Sequence, residues 1–278
     1  MHDKTITIDG ATVQHGENNS RVYLMDIKDA HPDTLVDSLA SLAHENGYGK
    51  IFAKVPKSKA DAFMKAGYAV EASAYGLYGG SERGLFLSKY LKVEREHEES
   101  LYTYQDVLSL AYGKEEPELP PLEEGESVRL CTTSDIVKMA ELYKGVFDSY
   151  PFPIDKPSFL ASAMQGQTIF AGVEKGGVIV ALASAECDLS EGHQYAEMTD
   201  FATDGEHRGN GYALHLLRFL ETQAKGQGVR TAFTIARAIS EGMNITFSKA
   251  GYTYGGRLKN NTDISGTIES MNVWYKGL

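Results

Sequence analysis

Apolar residues at Ile136, Met139, Ala140, Tyr143 and Phe147 recur at helical spacing, which predicts a helix over Ser134–Phe147 with Ser134 as its N-cap. Tyr150-Pro151-Phe152-Pro153 ends it, because proline lacks the amide donor and biases the residue before it toward extended geometry. A second helix is expected at Pro157–Met164. The runs Thr168–Glu174 and Val178–Glu186, joined by Lys175-Gly176-Gly177, read as a hairpin, and Tyr195–Thr203 and Met271–Tyr275 as further strands. Earlier in the chain, strand-like Val22–Ile27 and Ile51–Val55, helix-like Leu35–Glu45 and Lys59–Lys65, and strand-like runs around Tyr75 and Leu85 form a small alternating α/β unit.

Residues 114–127, KEEPELPPLEEGES, hold six Glu and three Pro with almost nothing to bury, so an extended linker is expected there. It divides the chain into an N-terminal domain, 1–113, and a C-terminal domain, 128–278. One hexapeptide repeats across that division. Phe63-Met64-Lys65-Ala66-Gly67-Tyr68 returns as Phe247-Ser248-Lys249-Ala250-Gly251-Tyr252, each preceded by a helix, a glycine-containing turn and a strand. A duplicated half-domain explains the repeat; a common way of ending a short helix at glycine explains it too.

The charge narrows the function. Twenty-seven Lys plus Arg against 38 Asp plus Glu leave a net charge of −11, which excludes a general footprint on nucleic acid or anionic lipid. The longest apolar run, Val178–Ala185, is far short of the roughly 20 residues of a membrane span, and MHDKTITIDG lacks the apolar centre of a secretory signal. No membrane partner or export is expected. Cys131 and Cys187 are the only cysteines and suit reduced thiols in the cytoplasm. The eight histidines are scattered, so no metal is expected.

The window Tyr195–Ala224 carries the chemistry. A strand enters Asp204-Gly205-Glu206-His207, then Arg208-Gly209-Asn210-Gly211-Tyr212-Ala213, then a helix with Leu216, Leu217 and Leu220. Glycines let the backbone approach a ligand, and first-turn helix amides are unpaired, so phosphate can accept from them. Neither a Walker loop nor a dinucleotide fingerprint fits, since no Gly-Lys-Ser/Thr follows and Leu214 stands where the third glycine belongs.

Arg208-x-x-Gly211-x-Ala213 resembles the Arg/Gln-x-x-Gly-x-Gly/Ala signature of the GNAT superfamily of N-acetyltransferases, and Asn244, Phe247, Gly251 and Tyr252 resemble its second cofactor segment. The resemblance covers about residues 127–278 and implies an α/β (α+β) GNAT fold: a central mixed sheet flanked by helices. Within the superfamily the whole chain is similar to the β-lysine N6-acetyltransferases, on the cues Asp148–Pro153, Gly242-Met243-Asn244 and Glu269–Tyr275. That likeness implies a degenerate GNAT-like N-terminal half, which lacks the phosphate loop and shapes or covers the site, and a part in compatible-solute synthesis.

The resemblance also implies roles. Acetyl-coenzyme A is the co-substrate and a small-molecule amine the acceptor. Phe201 and Thr203 offer main-chain groups to the pantetheine arm and thioester, and Arg208, Gly209, Asn210, Gly211, Tyr212 and Ala213 hold pyrophosphate. Asn244 bonds the pantetheine amides or caps its helix, and Phe247 stands beside them. An amine nucleophile with a pKa near 10.4 must lose a proton, and Glu197 occupies the position of the base in several members, with Asp200 as its rival. In a regular strand these two face opposite sides; a bulge, usual in the family there, would turn both to the cleft. Phe247 stands where many relatives place a tyrosine acid, which leaves Tyr252 or water to protonate the thiolate. Tyr150, Phe152, Asp263 and Glu269 are substrate-site candidates, with Asp155, Asn260 and Asn261 as further polar contacts. Other acceptors (peptide, polyamine, aminoglycoside) and a noncatalytic coenzyme A sensor are the alternatives. Family members are often homodimers, although no patch in the sequence marks an interface.

Overall fold

The computed structural model describes residues 3–112, 114, 119, 121–264 and 266–278. The N-terminal half runs β1 (Lys4–Ile8), β2 (Ala11–Gly16), β3 (Arg21–Asp26), α1 (Pro32–Glu45), β4 (Lys50–Pro56), α2 (Asp61–Lys65), β5 (Ala69–Tyr78), β6 (Glu82–Tyr90) and α3 (Leu101–Ala111). The C-terminal half continues with β7 (Glu126–Leu130), α4 (Ile136–Val146), α5 (Pro157–Gln165), β8 (Thr168–Lys175), β9 (Val178–Asp188), β10 (Tyr195–Thr203), α6 (Tyr212–Gly226), β11 (Thr231–Arg237), α7 (Glu241–Lys249), β12 (Thr253–Ile264) and β13 (Thr267–Gly277). Residues 115–118 and 120 of the expected linker lie outside the described residues, and Glu126 and Ser127 already belong to β7.

All thirteen strands form one mixed sheet, ordered β1-β2-β3-β4-β6-β5-β12-β13-β11-β10-β9-β8-β7. The two halves repeat a topology within it. β3 pairs β4 in parallel and β10 pairs β11 in parallel; β4 and β5 flank β6 antiparallel as β11 and β12 flank β13. The repeated hexapeptide marks equivalent places: α2 and α7 both end at a glycine of positive φ, Gly67 and Gly251. Tyr68 N–H donates to Phe63 O and Tyr252 N–H to Phe247 O, each at 3.1 Å. These capped exits, with Phe63–Tyr68 and Phe247–Tyr252 ring pairs at 5.3 and 5.2 Å, are duplicated structure as well as duplicated sequence.

The halves meet where β5 pairs β12, at Ala72–Gly256. A Cβ on Gly256 would lie 2.3 Å from Glu71 O, and one on Gly255 2.5 Å from Ser73 O, so the seam closes only because both residues are glycine. A core shared by both halves, including Tyr23, Phe52, Phe86, Tyr195, Phe233 and Met271, fills the space behind it.

Apolar spacing accounts for the helices. α6 buries Leu214, Leu216, Leu217, Leu220 and Ala224 against the C-terminal sheet, and α1 buries Leu35, Val36, Leu39 and Ala43 against the N-terminal one. The first strands, β1 and β2, and α3 were not foreseen. Nor is Ser134 the cap ahead of α4. Thr132 and Asp135 close a capping box, and Ser134 only hydrogen-bonds the Thr132 hydroxyl. Among the described residues no helix is long and apolar enough to cross a membrane, and Cys131 and Cys187 are both unpaired.

Candidate active site

β10 and β11 pair only from Tyr195–Glu197 against Thr231–Phe233, then part company. Each stays paired on its other side, β10 to β9 through Thr203 and β11 to β13 through Arg237. The sheet therefore opens into a notch beyond Glu197, where main-chain groups left without a ladder partner on that side are available to a ligand. A cavity sits at this notch, lined by Glu197, Thr199, Asp200 and Phe201 of β10 and by Thr234–Arg237 of β11.

A bulge decides which side chains enter. In the β9–β10 ladder Thr199 opposes Ser184 and Ala202 opposes Leu182, so Asp200 and Phe201 together face one residue. Asp200 takes φ +58° to make the extra step. The inserted residue reverses the alternation, and Glu197 and Asp200 both line the cavity. Tyr150 donates to Asp200 Oδ1 at 2.7 Å and Ser184 donates to Oδ2.

The sequence did not single out a third carboxyl, Glu186, which lies directly opposite Glu197 across the β9–β10 ladder and lines the same cavity. Directly opposed side chains in a ladder sit about 5 Å apart, so like charges there repel. Desolvation first, then Asp200, pushes Glu197 up to about 7, while Lys54 pulls it down. Desolvation, Asp200 and Glu197 push Glu186 up to about 8, and desolvation raises Asp200 against the pull of its Ser184 and Tyr150 hydrogen bonds. The three carboxyls titrate as one coupled set, each raised above the ordinary carboxylate range.

The balancing cation comes from the N-terminal half. Lys54 of β4 lies six places from β10 along the sheet, yet its Nζ donates to Tyr195 Oη at 3.1 Å and sits 4.4 Å from that ring's centroid. The sheet must curl to allow this, and the curl brings Gln14, Arg21, Tyr23, Met25 and Phe52 into the cavity wall as well. Burial alone would lower Lys54, but Tyr23, Tyr78 and Glu197 raise it. It stays charged.

Beyond β10 the expected phosphate loop has the geometry for anions. Gly209 and Gly211 take φ +88° and +76°, and Gly211 is the N-cap of α6 without any side-chain cap. Residues 208–211 ahead of the first turn are exposed, and a Cβ on Gly209 would meet nothing within 4 Å, so first-turn amides there can face an anion. Arg208 Nε donates to Thr203 O at 3.4 Å and Asn210 Nδ2 to His207 O at 3.1 Å, which tie the loop back to β10. These residues fit a pyrophosphate. Tyr212 has only its backbone to offer such a ligand, since its ring is buried with the hydroxyl donating to Glu126.

Several expected residues are elsewhere. Asn244 is fully buried; its Nδ2 donates to Arg237 O and Ser240 O, and its Oδ1 accepts from Asn272 Nδ2 and Trp274 Nε1. An amide offers no more bonds than these four, so Asn244 fastens α7 to β11 and β13 and has none left for pantetheine. Tyr252 is buried behind Phe247 and does not line the cavity, which places its hydroxyl away from a thiolate there; desolvation and Glu221 raise its pKa well above the ordinary value. Phe247 does line the cavity, edge to face with Phe201 at 5.6 Å.

Of the expected substrate residues Tyr150 and Phe152 line the cavity, joined by Phe147, Met243 and Ile264. Asp263 and Glu269 do not. Asp263 accepts from Ser149 at 3.4 Å, and Glu269 is held by both ends of Arg237 at 2.8 and 2.6 Å. Asn260 holds the chain before α3 through Glu94 O, Arg95 O and His97 O, whereas its neighbour Asn261 reaches the cavity. His193 meets Asp188 at 2.6 Å with Asp26 close by, and the hydrogen bond to Asp188 raises the imidazole pKa.

Comparison with known proteins agrees with this geometry. The acetyltransferase (GNAT) family model matches residues 136–251. A β-lysine N6-acetyltransferase of Methanococcus maripaludis is 35% identical over 275 residues, 99% of this chain and 98% of that protein. The N-acetyltransferase YodP of Bacillus subtilis is 30% identical over 281 residues, 99% of each chain. A β-lysine N6-acetyltransferase of Methanosarcina mazei is 30% identical over 268 residues, 88% of this chain and 97% of that protein. With a full-length relative at this identity and a notched sheet leading into an anion loop, the chain belongs to the GNAT family of acetyltransferases.

Proposed function

We propose that this protein transfers acetyl from acetyl-coenzyme A to the distal amine of β-lysine, a cytoplasmic reaction that makes a compatible solute. The relatives' names support the acceptor, and the unpaired thiols suit a reducing compartment. The observation that carries the reading is the set of three cavity carboxyls at the mouth of the notch, matched to a substrate bearing two ammonium groups.

Bound acetyl-coenzyme A supplies the activated acetyl thioester. Backbone amides of residues 209–213 hold its pyrophosphate, and main-chain groups of Phe201 and Thr203 in the notch polarise the carbonyl that must accumulate charge. Glu197, with its pKa near the working pH, accepts the proton from the incoming ammonium; a base matched to the medium is the efficient one. Tyr150 and Ser184 hold Asp200 in place beside it. The thiolate released as the C–S bond breaks has a conjugate acid of pKa about 8.5, so it departs without prior protonation, water suffices to protonate it and the tyrosine replaced by Phe247 is dispensable. Phe152, Phe147 and Met243 wall the methylenes.

The test is incubation with acetyl-coenzyme A and β-lysine, α-lysine, polyamines and an aminoglycoside, with mass detection of products. β-Lysine acetylated at N6 as the preferred product is expected; preference for any other acceptor class refutes the assignment.

A further inference from the structure

At the N-terminal side of the cavity lies a charge that the chemistry above does not use. Arg21 is 4% exposed and lines the cavity. Its guanidinium donates to Asn261 O at 2.6 Å, Thr262 Oγ1 at 3.2 Å and Gln14 Oε1 at 3.4 Å, all neutral acceptors. Among the described residues it forms no ion pair with a carboxylate. The rings of Tyr23 and Phe52, 5.2 and 5.7 Å away, give partial compensation. Desolvation lowers its pKa to about 10, which still leaves it charged at neutral pH. A buried cation without a counter-ion is costly unless something supplies the anion.

Gln14, 2% exposed on β2, completes the arrangement. Arginine can only donate, so the amide end facing it must be the oxygen, and the NH2 end points away. That Nε2 has no hydrogen-bond partner among the described residues, and Gln14 lines the same cavity. A buried amide donor and a buried guanidinium side by side match a carboxylate, which accepts from both. The neighbouring Asn261 Oδ1 is likewise unpartnered and offers an acceptor to an ammonium a short distance along the same ligand. Lys54 cannot take this role as well, because its Nζ is engaged with Tyr195 and Phe233 and feels Glu197.

We propose that Arg21 and Gln14 form the subsite for the acceptor's carboxylate, so that the N-terminal half selects a diamino acid over the corresponding diamine. This rests on the acetyltransferase reading and extends it to a specificity device: one half supplies the base and phosphate loop, the other the anchor for the opposite end of the acceptor.

The experiment compares β-lysine with 1,4-diaminopentane, the same carbon chain lacking only the carboxylate, as kcat/KM with acetyl-coenzyme A. The wild type should prefer β-lysine by about 10²-fold, the scale of a buried bidentate carboxylate contact. Arg21→Gln should cut that preference at least tenfold through KM for β-lysine, and Arg21→Lys should restore part of it. Calorimetric binding of coenzyme A by the variants separates loss of the subsite from loss of the fold. If Arg21→Gln does not fold, Gln14→Leu decides: a reduced preference supports the subsite and an unchanged one overturns it. Equal losses on both acceptors with coenzyme A binding intact overturn it too, as does a wild type that treats acid and diamine alike. If the wild type ignores β-lysine yet prefers α-lysine to cadaverine through Arg21, the β-lysine assignment falls and the carboxylate subsite stands.

Discussion

Glu197→Gln isolates the proton transfer, because glutamine keeps the shape and removes the base. At pH 7.5 an amine with a pKa near 10.4 is neutral in about one molecule in 10³, so loss of the base should lower kcat/KM about 10³-fold, or about 4 kcal/mol of barrier. The pH profile should change as well. The wild type should rise through pH 7, where Glu197 ionises, and then level. The variant should climb roughly tenfold per pH unit toward pH 10 as the free amine becomes available. Stability moves the other way. Folding raises the Glu197 pKa from 4.5 to about 7, so the native state binds the proton more tightly and loses stability as pH rises through that window. Glutamine removes that loss, worth up to about 3 kcal/mol, so the variant should be at least as stable as the wild type at pH 8. Release of coenzyme A followed with a thiol reagent from pH 6 to 10, beside urea unfolding, measures both. A variant within tenfold of wild type that still levels near pH 7 would refute the assignment of Glu197 as base.

Tyr252→Phe should leave kcat within about twofold in the same assay, since the hydroxyl is outside the cavity; a hundredfold loss would restore it as the acid. Asn244→Ala strands the Asn272 amide and the Trp274 indole N–H, each a buried donor, and should cost roughly 2–4 kcal/mol by urea unfolding, read from the fluorescence of the protein's one tryptophan. Gly256→Ala forces a methyl against Glu71 O at φ +137° and should lower stability by roughly 2–4 kcal/mol; a change below about 0.5 kcal/mol would show that the seam relaxes freely.

Local features were legible in the sequence because their causes are local. Glycine at 209 and 211 before an apolar-periodic helix dictates an open helix N-terminus whatever surrounds it, and the Gly67 and Gly251 exits follow from the same few residues. The family resemblance also placed Glu197, Asp200 and Phe201 of β10, and Tyr150 and Phe152 of the α4–α5 connection, at the cavity. Side-chain direction was another matter. Nothing within Asp200's own neighbourhood says that its backbone turns left-handed; the β9 ladder imposes it. Asn244 and Tyr252 sit in the right segment but point into the fold, since Trp274 and Glu221, distant in sequence, claim them.

Tertiary structure alone made the acceptor cavity. Gln14, Arg21 and Lys54 precede Glu197 by well over a hundred residues, and no spacing rule connects them. A sheet of thirteen strands twists and curls as it lengthens, and that long-range geometry folds the N-terminal face over the catalytic strand. Sequence determined the ends of helices and the loop that receives phosphate, where hydrogen bonds close over three or four residues. Which charges face one another across the cavity was decided only when strands from both halves joined at two glycines.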